Sequence, residues 1–343
     1  MNKITLASIA QFEGVTDVTL NTRNLSMSPI FPAQKITQAM SEVLEALVDA
    51  IREKEDEDKS KPAYEGSDGC CMIELFANDA AEDDAGAVIR FRVQSHGCGV
   101  IYAVRKTAIR PPNFDDIVSS QEVRDVLTNI ELKKSGGLIL IIGSTGSGKS
   151  TLAYASIIKR LEMHGGHCLS IEDPPEITSV FGYHGDKGGS FSQMDASKMG
   201  YAKAIKQGFR SYPRVEGVPL MFIGEVRDEE AATEMLRASL GGALLIATVH
   251  APTAPEAIQR ILALSEKGEP YAKSILASTL KYIVVQDSTL SNRITSKVVT
   301  ISKSIKSSIE SGNMPEVLSA IKTQENAKRE MAMQNNAQQS MNP

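Results

Sequence analysis

Between residues 138 and 249 the chain alternates largely apolar runs of strand length with stretches in which apolar residues recur every three or four positions. The runs cover 138–142, 168–171, 220–223 and 244–249. An unbroken apolar run of strand length fits a strand covered on both faces, and its alternation with helical patterns predicts a parallel sheet between helix layers. The first 130 residues read differently. Residues 1–35 predict short extended segments, and Ile36, Met40, Val43, Leu44 and Leu47 then share one helical face, which predicts a helix over 33–53. The charged run 52–61 reads as a solvated loop. Strands are predicted over 72–106. Within 87–93 the alternation puts Arg90 and Arg92 on one face, and Gly97 and Gly99 mark a turn before 100–105. Further on, Ala272, Ile275, Leu276, Leu280 and Ile283 have helical spacing. The last twenty residues hold eight Asn or Gln, a composition that predicts a mobile tail. The domain plan is a small α+β domain over 1–110, a linker and first helix over 111–130, an α/β domain over 131–323 with a helical end, and a disordered tail over 324–343.

Composition narrows the class. At 343 residues the chain exceeds the ~250 residues at which single cores stop growing, so two domains are expected. A net charge of −5 gives no support to a nucleic-acid-coating protein, and no direct sequence-specific nucleic acid binding is expected. No apolar run approaches the ~18 residues of a membrane span, and the first ten residues lack the pattern of a signal peptide. Cys70, Cys71, Cys98 and Cys168 form no CxxC pair and read as free thiols in a reducing compartment. No repeat of 20–50 residues is visible.

One segment carries explicit chemistry. Gly143, Ser144, Thr145, Gly146, Ser147, Gly148, Lys149, Ser150 and Thr151 fit GxxxxGK[ST], after an apolar strand and before a helical pattern. Its glycines let backbone N–H groups wrap a phosphate, and the following helix presents its positive end to the same anion. Lys149 then faces the β- and γ-phosphates of ATP, and the Ser150 hydroxyl suits Mg²⁺. Hydrolysis also needs acids. Glu172, Asp173 and Glu176 follow one apolar run; Glu225 and Asp228 follow another; His250 ends a third. Parallel strands deliver their carboxyl ends to one sheet edge, so all three clusters are expected near the phosphates. His96, His164, His167 and His184 read as surface or turn residues.

These motifs in this order resemble the secretion ATPase superfamily, the PilT-, DotB- and TraJ-like ATPases of type II and type IV secretion and conjugation. Residues 171–176 are similar to its Asp box, 220–228 to its Gly-Glu-x-Arg-Asp Walker B, and 243–250 to its His box. The strand at 87–93 and the segment 104–107 extend the likeness to about residues 85–323. The resemblance implies a RecA-like P-loop ATPase core with a parallel-dominated sheet, preceded by a smaller PAS-like α+β domain. It implies Glu176 and Glu225 for water activation, with Glu225 supporting the metal beside Ser150, and His250 as γ-phosphate sensor. It also implies Arg92, Arg105 and Arg210 as cations brought toward nucleotide. ATP and Mg²⁺, a homohexameric ring, and a cytoplasmic location against inner-membrane platform proteins follow from the same likeness. Three features depart from it. Ala243 replaces the first His-box histidine, the approach to Walker B lacks Asp-Pro-Asp, and 305–312 is a degenerate version of the retraction ATPases' element. The four-cysteine zinc module of type II secretion ATPases is absent. The favoured reading is a motor for a conjugative or type IVB secretion apparatus. A pilus retraction or assembly ATPase, a nucleotide-gated switch with little turnover, and a small-molecule P-loop kinase are the alternatives.

Overall fold

The computed structural model describes residues 4–59, 70–79, 88–95, 101–107, 110–177, 180, 182–197, 199–288 and 294–341. Ala87, His96, Gly97, Cys98 and Gly99, named above, lie outside them. The chain divides into two compact units. The amino-terminal unit comprises Met1–Pro111 with Glu176–Ser179, and the carboxy-terminal unit Pro112–Pro175 with Val180–Pro343.

In the amino-terminal unit, α1 (Leu6–Ala10) leads to β1 (Asp17–Asn21) and β2 (Ile30–Phe31), then α2 (Gln38–Lys59), β3 (Cys70–Phe76), β4 (Val88–Ser95) and β5 (Ile101–Thr107). The sheet order is β2-β1-β5-β4-β3, antiparallel throughout. Met40, Val43, Leu44, Leu47, Val48 and Ile51 of α2 bury one face, each side chain contributing roughly 1.5–3 kcal/mol of transfer free energy. They pack in one core with Phe12, Leu20 and Phe91. Two expectations are corrected here. Residues 6–10 are helical, their first turn capped by Thr5, whose hydroxyl accepts from the Ser8 N–H at 3.1 Å. The charged run is not a loop over 52–59, because α2 continues through it. Glu, Lys and Arg are good helix formers, and a helix already anchored by six apolar residues extends at little cost.

The carboxy-terminal unit begins with three short helices, α3 (Phe114–Ile117), α4 (Gln121–Leu127) and α5 (Leu132–Ser135). Then follow β6 (Gly137–Gly143), α6 (Lys149–His164), β7 (His167–Glu172), β8 (Gly182–His184), β9 (Gly189–Asp195), α7 (Tyr201–Ser211), β10 (Leu220–Ile223), α8 (Glu229–Leu240) and β11 (Leu244–His250). The unit ends with α9 (Ala254–Ser265), α10 (Ala272–Thr279), β12 (Leu280–Ser288), β13 (Ile294–Thr300), α11 (Lys303–Ser311) and α12 (Met314–Met341). The sheet order is β13-β12-β6-β11-β10-β7-β9-β8, parallel from β12 to β9 and antiparallel at both edges. All seven residues of β6 are buried, as its unbroken apolar run requires. The helical spacing at 272–283 holds only to Thr279: Leu280 and Ile283 belong to β12, because Leu280 onward pairs with β6. The segment expected to be a disordered tail is helical to Met341. Val317 and Ile321 bury the start of α12. Beyond them the Gln324 amide donates to the Thr300 carbonyl at 2.9 Å, and Lys328 Nζ donates to the Val298 carbonyl at 2.7 Å. Among the described residues, no helix is long and apolar enough to cross a membrane.

A phosphate loop with its cation, histidine and carboxylate

Sheet register builds this site. Gly143 at the end of β6 pairs with His250 at the end of β11, and Ile223 at the end of β10 pairs with Ala247 of β11. The loops after β6, β10 and β11 therefore leave the same edge of the sheet, where α/β proteins bind ligands.

Gly146 and Gly148 take φ of +76° and +84°, left-handed values open to glycine and costly for other residues. Gly143 is excluded from substitution by space as well: a Cβ there would lie 2.2 Å from the Gln286 carbonyl oxygen. Gly148 caps α6 without a side chain, so the first N–H groups of the helix are left for an anion. The Ser147 hydroxyl oxygen is buried and has no hydrogen-bond partner among the described residues. This cradle fits the phosphates of a nucleotide.

Lys149, only 6% exposed, points back into the loop. Its Nζ donates to the Ser144 carbonyl at 2.8 Å and to His250 Nδ1 at 3.2 Å. Thr145 Oγ1 stands 3.4 Å from the same ring nitrogen. The other ring nitrogen, Nε2, lies 3.1 Å from Glu225 Oε1. Burial, then the Lys149 charge, holds the His250 pKa below its ordinary 6.5, against the opposing pull of Glu225. The imidazole is thus neutral near pH 7. Its partners assign the tautomer: Nδ1 accepts from an ammonium, so Nε2 carries the proton and donates to the carboxylate.

The other expected residues divide. Ser150 and Thr151 are half-buried in the first turn of α6, with Ser150 beside Lys149. Glu172 turns inward, 4% exposed, and accepts from the Tyr154 hydroxyl; it is a buried strut and does not face the phosphates as expected. Glu176 groups with the amino-terminal unit. There its carbonyl accepts from Arg90 Nη1 at 3.1 Å and its carboxylate lies 3.7 Å from Arg92 Nη1. Arg92 and Arg105 are register partners across β4 and β5, and Arg105 Nε donates to Asp17 Oδ1 at 2.8 Å. Arg210 is exposed in the last turn of α7. Two residues later the Tyr212 hydroxyl donates to the His167 carbonyl and accepts from the Leu220 N–H, at the starts of β7 and β10. Arg210 therefore sits at the sheet edge opposite the phosphate loop and cannot serve the loop of its own chain. The three other histidines described are half-buried within helix or strand ends, neither exposed nor in turns, and act as structural hydrogen-bonding groups. His164 bonds the Thr128 carbonyl, His167 lies between the Ser190 and Ser192 hydroxyls, and His184 bonds the Val180 carbonyl. Sequence reasoning passed over Arg227, whose Nε lies 2.6 Å from Glu225 Oε2. The i, i+2 spacing about an apolar Val226 was the available signal.

A phosphate loop at the carboxyl edge of a mainly parallel sheet, with lysine, histidine and carboxylate in contact, defines a P-loop nucleotide-binding protein. The chain belongs to the type II/IV secretion system protein family, whose family model matches residues 89–339. Among curated proteins it is 35% identical over 131 residues to the competence protein ComGA of Halalkalibacterium halodurans, covering 38% of this chain and 34% of that one. It is 30% identical over 184 residues to the type IV pilus ATPase PilU of Pseudomonas aeruginosa, covering 52% and 44%. The chain thus spans less than half the length of these curated relatives. Two solved structures share the fold over nearly the whole chain. The pilus retraction motor PilT with bound ADP superposes with a TM-score of 0.64 at 22% identity, covering 94% of this chain and 90% of that one. The Legionella pneumophila ATPase DotB superposes with 0.63 at 22%, covering 93% and 84%.

Proposed function

We propose that this chain hydrolyses ATP and is the motor subunit of a homohexameric ring driving a conjugative or type IVB secretion apparatus from the cytoplasmic face of the inner membrane. The observation that carries the hydrolysis reading is the unbroken contact series Ser144–Lys149–His250–Glu225, which ties the phosphate loop to a carboxylate. Phosphate oxygens are stronger acceptors for an ammonium than a carbonyl or a neutral imidazole, so nucleotide draws Lys149 to itself. His250 Nδ1 is then released toward the γ-phosphate, and Glu225 orients the attacking water. Ser150 and Glu225 would hold Mg²⁺, which would supply charge neutralisation at the phosphates; hydroxyl and carboxylate oxygens suit that hard cation. Glu176 is the second candidate for water activation. Arg92, Arg105 and Arg210 are read as cations offered to the nucleotide of a neighbouring copy.

The conjugation reading is favoured by the degenerate element 305–312, which forms most of α11 and ends at Gly312 in the left-handed region. The names of ComGA and PilU favour a competence or pilus motor, the second reading. Phosphate release tests the hydrolysis reading. Lys149→Ala should abolish ATP binding, whereas Glu225→Gln should keep binding and lower turnover by ~10²–10⁴-fold. Wild-type rates in both variants would overturn the site assignment, and no phosphate release from the unaltered chain would leave a switch without turnover. Deletion of the gene, scored for DNA transfer against twitching and transformation, separates the two machines.

A further inference from the structure

The segment after β10 is fastened to β11 at two points. The Val226 N–H donates to the Thr248 carbonyl at 3.1 Å, and the Thr248 hydroxyl donates to the Gly224 carbonyl. Val226 is fully buried between them. Its neighbours on either side, the half-buried Glu225 and the exposed Arg227, meet, with Arg227 Nε 2.6 Å from Glu225 Oε2. Asp228 follows as the cap of α8, its Oδ1 accepting from the Ala231 N–H at 2.7 Å, which fixes the backbone beside Arg227. Both oxygens of the Glu225 carboxylate are therefore engaged. One is held by His250, whose other nitrogen answers to Lys149; the second is held by the Arg227 guanidinium, which makes no ion pair with the phosphate loop among the described residues.

We propose that Arg227 is a positioning residue for Glu225, the fixed arm that keeps the carboxylate oriented when nucleotide draws Lys149 away from His250. The inference rests on the ATP-hydrolysis reading above. Rotation about the last torsion of a Glu side chain is soft, so a carboxylate held only by an imidazole that has lost its bond to Lys149 swings readily. A misplacement of about 1 Å in a reacting group costs ~10²-fold in rate. The Arg227 Nε–H bond removes that freedom, and the short backbone between two fastened residues holds the arginine itself in place.

The test combines kinetics, binding and a double-mutant cycle on the full chain. Arg227→Ala should lower kcat by ~10–100-fold with the KM for ATP within about threefold, and Arg227→Lys should recover part of the loss. In a Glu225→Gln background, single-turnover hydrolysis should show no further loss from Arg227→Ala, because the arginine acts through that carboxylate. Binding of a fluorescent ATP analogue, titrated with Mg²⁺, gives a readout apart from turnover. The guanidinium competes with a cation for Oε2, so Arg227→Ala should lower the half-saturating Mg²⁺ several-fold when Glu225 is intact and leave it unchanged in the Glu225→Gln background. Additive losses in the cycle, a raised KM with kcat intact, or an unmoved Mg²⁺ curve would each overturn the assignment. Arg227→Gln serves if the alanine variant does not fold. Wild-type turnover in Lys149→Ala and Glu225→Gln would sink the reading beneath; loss there with full turnover in Arg227→Ala would sink the inference alone.

Discussion

His250 stands between an ammonium and a carboxylate, and its charge decides whether that arrangement holds. Its pKa is depressed in the folded chain, by burial first and by Lys149 next. The sign follows from linkage: a histidine kept neutral contributes stability above its unfolded pKa, and that stability is lost as pH falls through the lower folded value. Acidification below the ordinary 6.5 should therefore lower the melting temperature of the nucleotide-free protein, and His250→Gln should flatten that part of the profile. A profile unchanged by the substitution would show that other groups carry it. Gly143 gives a second test at this scale. Gly143→Ala forces a Cβ against the Gln286 carbonyl and 2.7 Å from Ser147 Oγ, on a backbone with φ of +152°. The expected result is loss of nucleotide binding with a lowered melting temperature, read by calorimetry.

Among the elements, α12 departs most from what its composition suggests. Asn- and Gln-rich sequence has little apolar surface with which to offset the ~1–2 kcal/mol per residue of backbone ordering. Yet Val317 and Ile321 seat the first turns, and the Gln324 and Lys328 side chains then bond backbone carbonyls at β13. Gln324 also accepts from the Thr300 N–H at 3.0 Å, a reciprocal pair that completes an edge strand's unpaired groups. Truncation after Thr323 removes these bonds, each worth ~0.5–1.5 kcal/mol, more for the charged donor, and should lower the melting temperature by several degrees. Truncation after Arg329 keeps them and should leave it nearly unchanged. Equal melting temperatures for the two truncations would show that the β13 contacts contribute nothing.

At the scale of the whole molecule, the two units divide the charged groups between them. The carboxy-terminal unit holds the phosphate loop, His250 and Glu225, while Arg92, Arg105 and Glu176 belong to the amino-terminal unit. Arg210 lies at the wrong sheet edge for its own loop. A ring in which these arginines serve a neighbour predicts that hydrolysis depends on assembly. Specific activity should rise over the concentration range in which sedimentation shows oligomers forming. Mixing Arg105→Ala with Lys149→Ala subunits should restore part of the activity, since some interfaces then pair an intact loop with an intact arginine. Full activity in a monomer, or no rescue at any ratio, would show that Arg105 serves the loop of its own chain.

The local signals were legible because they are set by near neighbours. The apolar runs at 138–142, 168–171, 220–223 and 244–249 became buried parallel strands, and the glycine spacing at 143–148 became a phosphate loop at a helix start. Hydrophobic burial on two faces and the left-handed freedom of glycine act over a few residues, so the sequence alone determined them. Strand order and register belong to tertiary structure, and they decided the rest. Pairing β6 with β11 brings His250 to Lys149 across a hundred residues; the tie of Val226 to Thr248 turns Glu225 and Arg227 to one side; the Tyr154 hydroxyl takes Glu172 inward. The ends of α2 and α12 likewise depended on anchors elsewhere in each helix and sheet, where buried contacts overrode composition.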